Sequence, residues 1–477
     1  MSLISNPEYS LINGQAHPTE RYVEVINPAT EACIAQVGEA DNGAADSALR
    51  AAVDAFEQLT KTTAHARSKV LRKWYDLVVE HRQALAELVT KEQGKPLKEA
   101  LAEADYAAGF IEWYSEEVKR AYGQVIPSHS QAHELTTIKQ GVGVVLGITP
   151  WNFPLAMITR KVAPAYAAGC SFILKPSEKT PLAAIALAKL AIQAGMEVGA
   201  FQVLVTNDSK GLVAHLTASP DVRKLTFTGS TQVGSALLKQ CADTVKRTSM
   251  ELGGNAPFII FNSAKLQEAI NGLMAAKFRN AGQTCVAANR VFIEQDIAAE
   301  AIKQITQRVE QLKVGNGLVE GVDIGPLISL EAKQKAQSLL EDALEKGARI
   351  VYQGEACSGQ FMAPIVLVGV TRSMRIFHEE IFAPILSVIE FAEEADVIAM
   401  ANSVPEGLAA YFYCDDVAQI RRVSQALEYG MVGINEGIIS NPVAPFGGVK
   451  YSGVGREGAQ EGLLEYQEVK YLCQKFN

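Results

Sequence analysis

No stretch of this 477-residue chain approaches the roughly 20 consecutive apolar residues that a membrane span needs. The N-terminus, Met1 to His17, is polar, carries Pro7 and Asn13-Gly14, and lacks the basic region and apolar run of a secretion signal. An excess of positive charge is missing too. Lys and Arg number 44 against 53 Asp and Glu, a net charge of −9, with no basic cluster to meet a phosphate backbone. Neither a membrane nor nucleic acid is therefore an expected partner. Cysteines are few, seven in all, an odd number without a CxxC or paired Cys/His spacing. That argues against a disulfide framework and a zinc site, so no metal is expected, and it fits reduced thiols in the cytoplasm. Internal repeats and low-complexity linkers are also lacking.

What is present is the composition of a globular enzyme, 48% hydrophobic and 20% charged, with length enough for two or three domains. After an extended segment around Arg21 to Ile26, periodicity predicts helices over 41–59, about 64–93 and about 97–122, the second stopped by Gly94-Lys95-Pro96. From Gly123 to Gln140 the pattern loosens, with a β-prone piece at Leu135 to Ile138 that suggests a protruding hairpin. Beyond Val142, short apolar runs (142–148, 171–174, 201–205, 224–227) alternate with helical stretches (154–168, 181–194, 209–218, 231–241). A second alternating series passes through Phe258, Ile293, Leu386 to Phe391, Ala409 to Tyr413 and Val432 to Ile434. This predicts an α/β fold of two doubly wound domains, whose ligands bind beyond the carboxyl ends of the strands. The alternation Tyr466, Glu468, Lys470, Leu472 in the tail suits a strand pairing with another subunit's edge.

The residues just after each strand are the suspects. Asn152, in Thr149-Pro150-Trp151-Asn152-Phe153-Pro154, either aims an amide N–H into a cleft or caps the next helix. Lys175 and Glu178 suit ribose hydroxyls as donor and acceptor, although such a pair is also common on surface loops. Gly229 and Ser230 open a helix whose free N–H groups could receive a pyrophosphate, without the GxGxxG spacing. Glu251, beside Gly253-Gly254 and between the two series, is a general base or a solvated loop acid. Cys285 follows a Gly-containing bend that could present its thiol to a cleft. Cys33, Cys170, Cys241, Cys357, Cys414 and Cys473 have no comparable setting and read as small buried apolar groups.

Taken in order, TPWNFP, KPSE, FTGS, ELGGN, GQTC, His378 to Pro384 and Pro445 to Gly448 resemble the NAD(P)-dependent aldehyde dehydrogenase superfamily along essentially the whole chain. The resemblance implies a coenzyme-binding domain over 1–122 and 141–249 and a catalytic domain over 250–447. It also implies an oligomerisation hairpin and tail, 123–140 and 448–477, building a homodimer or homotetramer. It makes Cys285 the nucleophile that adds to a small-molecule aldehyde, so that the thiohemiacetal can release hydride to nicotinamide and leave a thioester. Asn152 and the Cys285 backbone N–H would hold the oxyanion, and Glu251 would activate the hydrolytic water. Lys175 and Glu178 match adenosine-ribose positions of the family, Trp151 and Ser230 match positions near the pyrophosphate, and Glu380 and Phe382 match positions around the nicotinamide ribose and ring. A carboxylate such as Glu178 repels a 2′-phosphate, so NAD is expected over NADP, with the neighbouring Lys179 weighing the other way.

Within the superfamily, Phe278 to Asn280, Glu428 to Asn435, Gly437 to Asn441 and Ala444 to Lys450 are similar to succinate-semialdehyde dehydrogenases. In that subfamily, arginines matching Arg160 and Arg279 and a serine matching Ser440 grip the substrate's far carboxylate, as suits a guanidinium fork. Alternatively, Arg160 and Lys161 form a solvated helix face. Glutarate semialdehyde or an aliphatic aldehyde are alternative substrates. A cysteine hydrolase, with His378 the nearest base to Cys285, and a non-catalytic binding protein are the rival classes. Where some subfamily members carry a second cysteine two places after the nucleophile, this chain has Ala287, so a disulfide switch is not expected.

Overall fold

The computed structural model describes residues 3–476. Its first large sheet has eight strands, of which the central five are parallel and lie side by side as Arg247–Glu251, Val222–Thr228, Val144–Ile148, Ser171–Lys175 and Phe201–Val203. These strands are almost wholly buried, as near-continuous apolar runs covered by helices on both faces must be. The chain starts at Val144–Ile148, steps outward to Phe201–Val203, then returns to the other side through Val222–Thr228. The order thus reverses between Val144–Ile148 and Val222–Thr228, which opens a crevice at their carboxyl ends. Register aligns those ends: Phe227 lies opposite Ile148, Ile148 opposite Lys175, and Thr228 opposite Glu251.

The chain crosses from Glu251 to a second sheet of seven strands, which begins at Ala256–Ile260 and includes Ala288–Glu294, Ile385–Phe391 and Ala409–Tyr413, all parallel. The expected fold class holds, with two parallel-centred α/β layers. Buried Arg290 fastens the crossing, donating to the Asn255 side chain and carbonyl and to the carbonyls of Met400 and Ala401.

Several expectations need adjustment. The long helix predicted over 64–93 breaks at His81 into Ala64–Glu80 and Arg82–Gln93, and the next helix ends at Glu117. A three-stranded N-terminal sheet of Glu8–Tyr9, Cys33–Gly38 and Tyr22–Ile26 went largely unread because its strands are short and half exposed. The hairpin is present, as Gln124–Ile126 and His133–Gly141. The tail strand Gln467–Lys475 pairs antiparallel with His133–Gly141 of its own chain and forms the outer strand of that sheet. The cause is local: helix Ala459–Leu464 packs on Ala156–Ala168, and the Val142 N–H donates to the Tyr466 carbonyl at 3.1 Å, delivering the tail to the hairpin. Among the described residues no helix is long and apolar enough to cross a membrane.

Candidate active site

Cys285 sits on a loop between helix Leu266–Phe278 and strand Ala288–Glu294. Before it, Asn280, Ala281 and Gly282 all take positive φ (53°, 55° and 76°), a left-handed bend that a non-glycine residue adopts only when its surroundings enforce it. Asn280 is so enforced: its side chain accepts from Gln93 and donates to the carbonyls of Asn152 and Gln283, while its N–H donates to Glu99. Across from the loop, any side chain at Gly254 would stand 2.2 Å from the Cys285 carbonyl oxygen, so only glycine admits this approach.

Cys285 lines two cavities, and it is the one residue they share. The larger, about 260 Å³, lies at the crevice where strand order reverses, with Trp151, Asn152, Gly229, Ser230, Glu380 and Phe382 on its walls. The smaller, about 20 Å³, lies on the other side of the thiol and is walled by Arg160, Arg279, Ser440, Tyr106, Phe153 and Phe446. The thiol is pushed up to about 12 by burial; Arg160 and Arg279 pull it down, against Glu380 and Glu251.

Asn152 does not cap a helix. Its amide donates to the Gln283 carbonyl at 3.2 Å, while its own carbonyl accepts from Lys95 Nζ at 2.7 Å and from Asn280. Lys95 in turn pairs with buried Glu103, whose other oxygen accepts from the Leu155 N–H at 2.8 Å. This network was missed: Gly94-Lys95-Pro96 reads as helix punctuation, yet Lys95, Glu99 and Glu103 at helical spacing are a sequence signal of a polar stripe facing inward. The Cys285 N–H donates to no acceptor among the described residues.

Glu251 ends its strand and is 3% exposed, with Oε2 lacking a partner, so it is not a solvated loop acid. It lines neither cavity. Burial and the charge of Glu457 hold its carboxyl well above the ordinary carboxylate range, while Arg160, Lys161 and Arg456 oppose them. The Arg160-Lys161 pair is not a solvated face either. Every residue of helix Ala156–Ala168 is buried, and both cations pair with the Glu457 carboxylate. His378 is exposed and its Nε2 donates to the Arg372 carbonyl at 2.7 Å, and no histidine lines either cavity, which removes the base that a cysteine hydrolase would need. Of the other thiols, Cys170, Cys241 and Cys414 are buried as expected, but Cys33 and Cys473 are exposed and Cys357 is half-buried, because they fall on short or edge segments.

The larger cavity fits the reactive end of a dinucleotide. Thr228 Oγ1 is buried there without a partner, Gly229 leaves the helix start open, and Ser230 caps helix Thr231–Ala242. Trp151 and Phe382 meet edge to face at 5.7 Å, and Glu380 is pushed up to about 7 by burial. Lys335 also lines this cavity and donates to the Glu380 carbonyl, a role no local motif announced. Lys175 and Glu178 lie outside it; they pair at 3.3 Å, and Glu178 borders a separate cleft with Lys179.

The sequence profile of the aldehyde dehydrogenase family matches residues 15–472. The chain belongs to this family. It is 49% identical to the NADP(+) succinate-semialdehyde dehydrogenase of Escherichia coli (strain K12), over 98% of this chain and 97% of that protein. It is 48% identical to the glutarate-semialdehyde dehydrogenase of Pseudomonas putida, over 94% of each. The crystal structure of an NADP dependent enzyme of E. coli superposes with a TM-score of 0.97 at 48% identity, covering 99% of this chain and 98% of that one. As an NAD(P)-dependent aldehyde dehydrogenase, the chain nevertheless departs from one expectation. Both E. coli proteins are named for NADP, so the preference for NAD read from Glu178 does not stand. The physical reason is that Lys175 balances the Glu178 charge, leaving no isolated anion to repel a 2′-phosphate.

Proposed function

We propose that this dehydrogenase oxidises succinate semialdehyde to the dicarboxylate with Cys285 as nucleophile, and that it accepts NADP+. The observation that carries this reading is the pair of cavities meeting at Cys285, one suited to a coenzyme and the other walled by Arg160, Arg279 and Ser440. An aldehyde with an anionic far end would lie with that end on the guanidinium groups and its carbonyl at the thiol.

In this reading the Cys285 sulfur, as thiolate, bonds to the carbonyl carbon, and the Asn152 amide with the Cys285 N–H receives the oxyanion. Asn152 keeps one amide hydrogen for that role after its bond to Gln283. The nicotinamide supplies a hydride acceptor when bound, which leaves the acyl group on sulfur. Trp151, Gly229, Ser230, Glu380 and Phe382 would hold the reactive end of the coenzyme, and Lys175 and Glu178 its adenosine ribose. Glu251 would then take a proton from the water that cleaves the thioester, which requires its side chain to swing toward the sulfur. We assign residues 1–122 and 141–249 to coenzyme binding, 250–447 to catalysis, and the hairpin and tail sheet to a homo-oligomeric contact.

The second reading is the five-carbon semialdehyde, favoured by the P. putida relative. A panel of succinate semialdehyde, glutarate semialdehyde and butanal, followed at the reduced-nicotinamide absorbance with both coenzymes, tests these readings. Equal kcat/KM for the carboxylated and methyl-ended aldehydes would remove the clamp, and undiminished turnover by a folded Cys285→Ala variant would remove the nucleophile.

A further inference from the structure

We infer that Tyr106 is a fourth donor to the substrate's far carboxylate and helps set the preference for ω-carboxylated aldehydes. The inference rests on the clamp reading of Arg160, Arg279 and Ser440. Tyr106 comes from helix Leu97–Glu117, far from every motif around Cys285, yet its side chain lines the small cavity that ends at the thiol. Phe110 holds its ring edge-on at a centroid distance of 4.8 Å, so the hydroxyl is presented from a fixed frame.

That hydroxyl is buried beside Arg160, which walls the same cavity; towards a guanidinium its oxygen can only accept, so its O–H is left without an acceptor among the described residues. Buried donors are ordinarily satisfied, and an O–H without an acceptor beside a guanidinium marks the position of a missing acceptor. The phenol oxygen faces the cationic charge of Arg160 and Arg279, so its O–H is directed away from them and toward any anion in the cavity. Glu457 already occupies the Nε side of Arg160. A neutral donor beside a partly compensated guanidinium adds a hydrogen bond to a carboxylate without adding charge to a buried site, and it offers nothing to a methyl group.

The test is Tyr106→Phe, which keeps the ring and removes only the hydroxyl. Steady-state kinetics with succinate semialdehyde and with butanal give the ratio of their kcat/KM values, in which the fraction of active enzyme cancels. That ratio is expected to fall about tenfold or more in the variant, chiefly through KM for the carboxylated substrate. Succinate, used as a competitive inhibitor, is expected to weaken in parallel. A ratio that stays at the parental value while the parent favours succinate semialdehyde overturns the role of Tyr106 alone. A parent that shows no such preference overturns the clamp reading and this inference together.

Discussion

Asn152 donates its side-chain amide to the carbonyl of Gln283 at 3.2 Å, a bond reaching from the end of a strand in the first sheet to the loop that bears Cys285. Since Lys95 and Asn280 also hold the Asn152 carbonyl, the donor is fixed from both sides before any substrate arrives. Preorganisation of this kind is what stabilises a developing oxyanion. Asn152→Ala should therefore lower kcat by about 10²–10³. The accompanying loss of stability should be near 1 kcal/mol, since one hydrogen bond goes. Kinetics beside thermal denaturation check this, and a variant with parental kcat would exclude Asn152 from the reaction.

The thiol offers a pH signature. With burial pushing Cys285 up to about 12, the thiolate fraction of the free enzyme should grow about tenfold per pH unit through the neutral range. Alkylation by iodoacetamide should follow that slope without a plateau below about pH 11. Arg160 pulls the thiol down, so Arg160→Gln should slow alkylation at every pH. Faster alkylation in that variant, or a plateau near neutrality, would contradict the charge arrangement.

A truncation tests the tail. Gln467–Lys475 covers the edge of His133–Gly141 along its whole length, so ending the chain after Tyr466 bares a row of unpaired backbone groups. The shortened protein should aggregate on warming at a lower temperature than the parent. Light scattering during a thermal ramp measures this, and coincident curves would mean that the pairing contributes little.

What was legible in the sequence follows from range. Parallel strands buried on both faces are near-continuous apolar runs, so their ends, and hence Asn152 and Ser230, stood out beside the turn residues that follow them, whereas Glu251 stood out through Gly253-Gly254 because its own strand, Arg247–Glu251, is polar and half-exposed at its start. The bend before Cys285 was visible as Gly282, but the positive φ of Asn280 and Ala281 was not, because it is imposed by Gln93 and Glu99 from another part of the chain. Tyr106 was invisible for the same reason, reading as one more residue of a helical pattern until tertiary packing turns it inward, and Lys95 read only as part of the break between two helices. The coenzyme expectation failed because a carboxylate's effect on a phosphate depends on whether its charge is balanced, and the Lys175 contact is a matter of side-chain geometry. The pairing of the tail with the hairpin of its own chain is equally a matter of tertiary packing, since an alternating strand does not encode which edge it meets.

Glu251 carries the last prediction, in which the signs of two effects separate chemistry from stability. Its carboxyl is raised well above the usual range, by burial first and then by Glu457. As a base it works only when ionised, so if hydrolysis limits turnover, the rate should fall about tenfold per unit as pH drops below that raised value. For folding the sign is opposite. A carboxyl whose folded pKa lies above its unfolded value of about 4.5 favours the folded state below that value, and this contribution is lost as pH rises through the folded pKa. Glu251→Gln, which cannot ionise, should thus gain stability over the parent at pH 9 relative to pH 4. Its kinetics should show a burst of about one reduced coenzyme per site and then a stall with acyl enzyme, because only the hydrolytic step needs the base. Steady parental turnover would dismiss Glu251 as the base even if the stability shift appeared, and a burst without that shift would keep the base while denying that the fold raises its carboxyl.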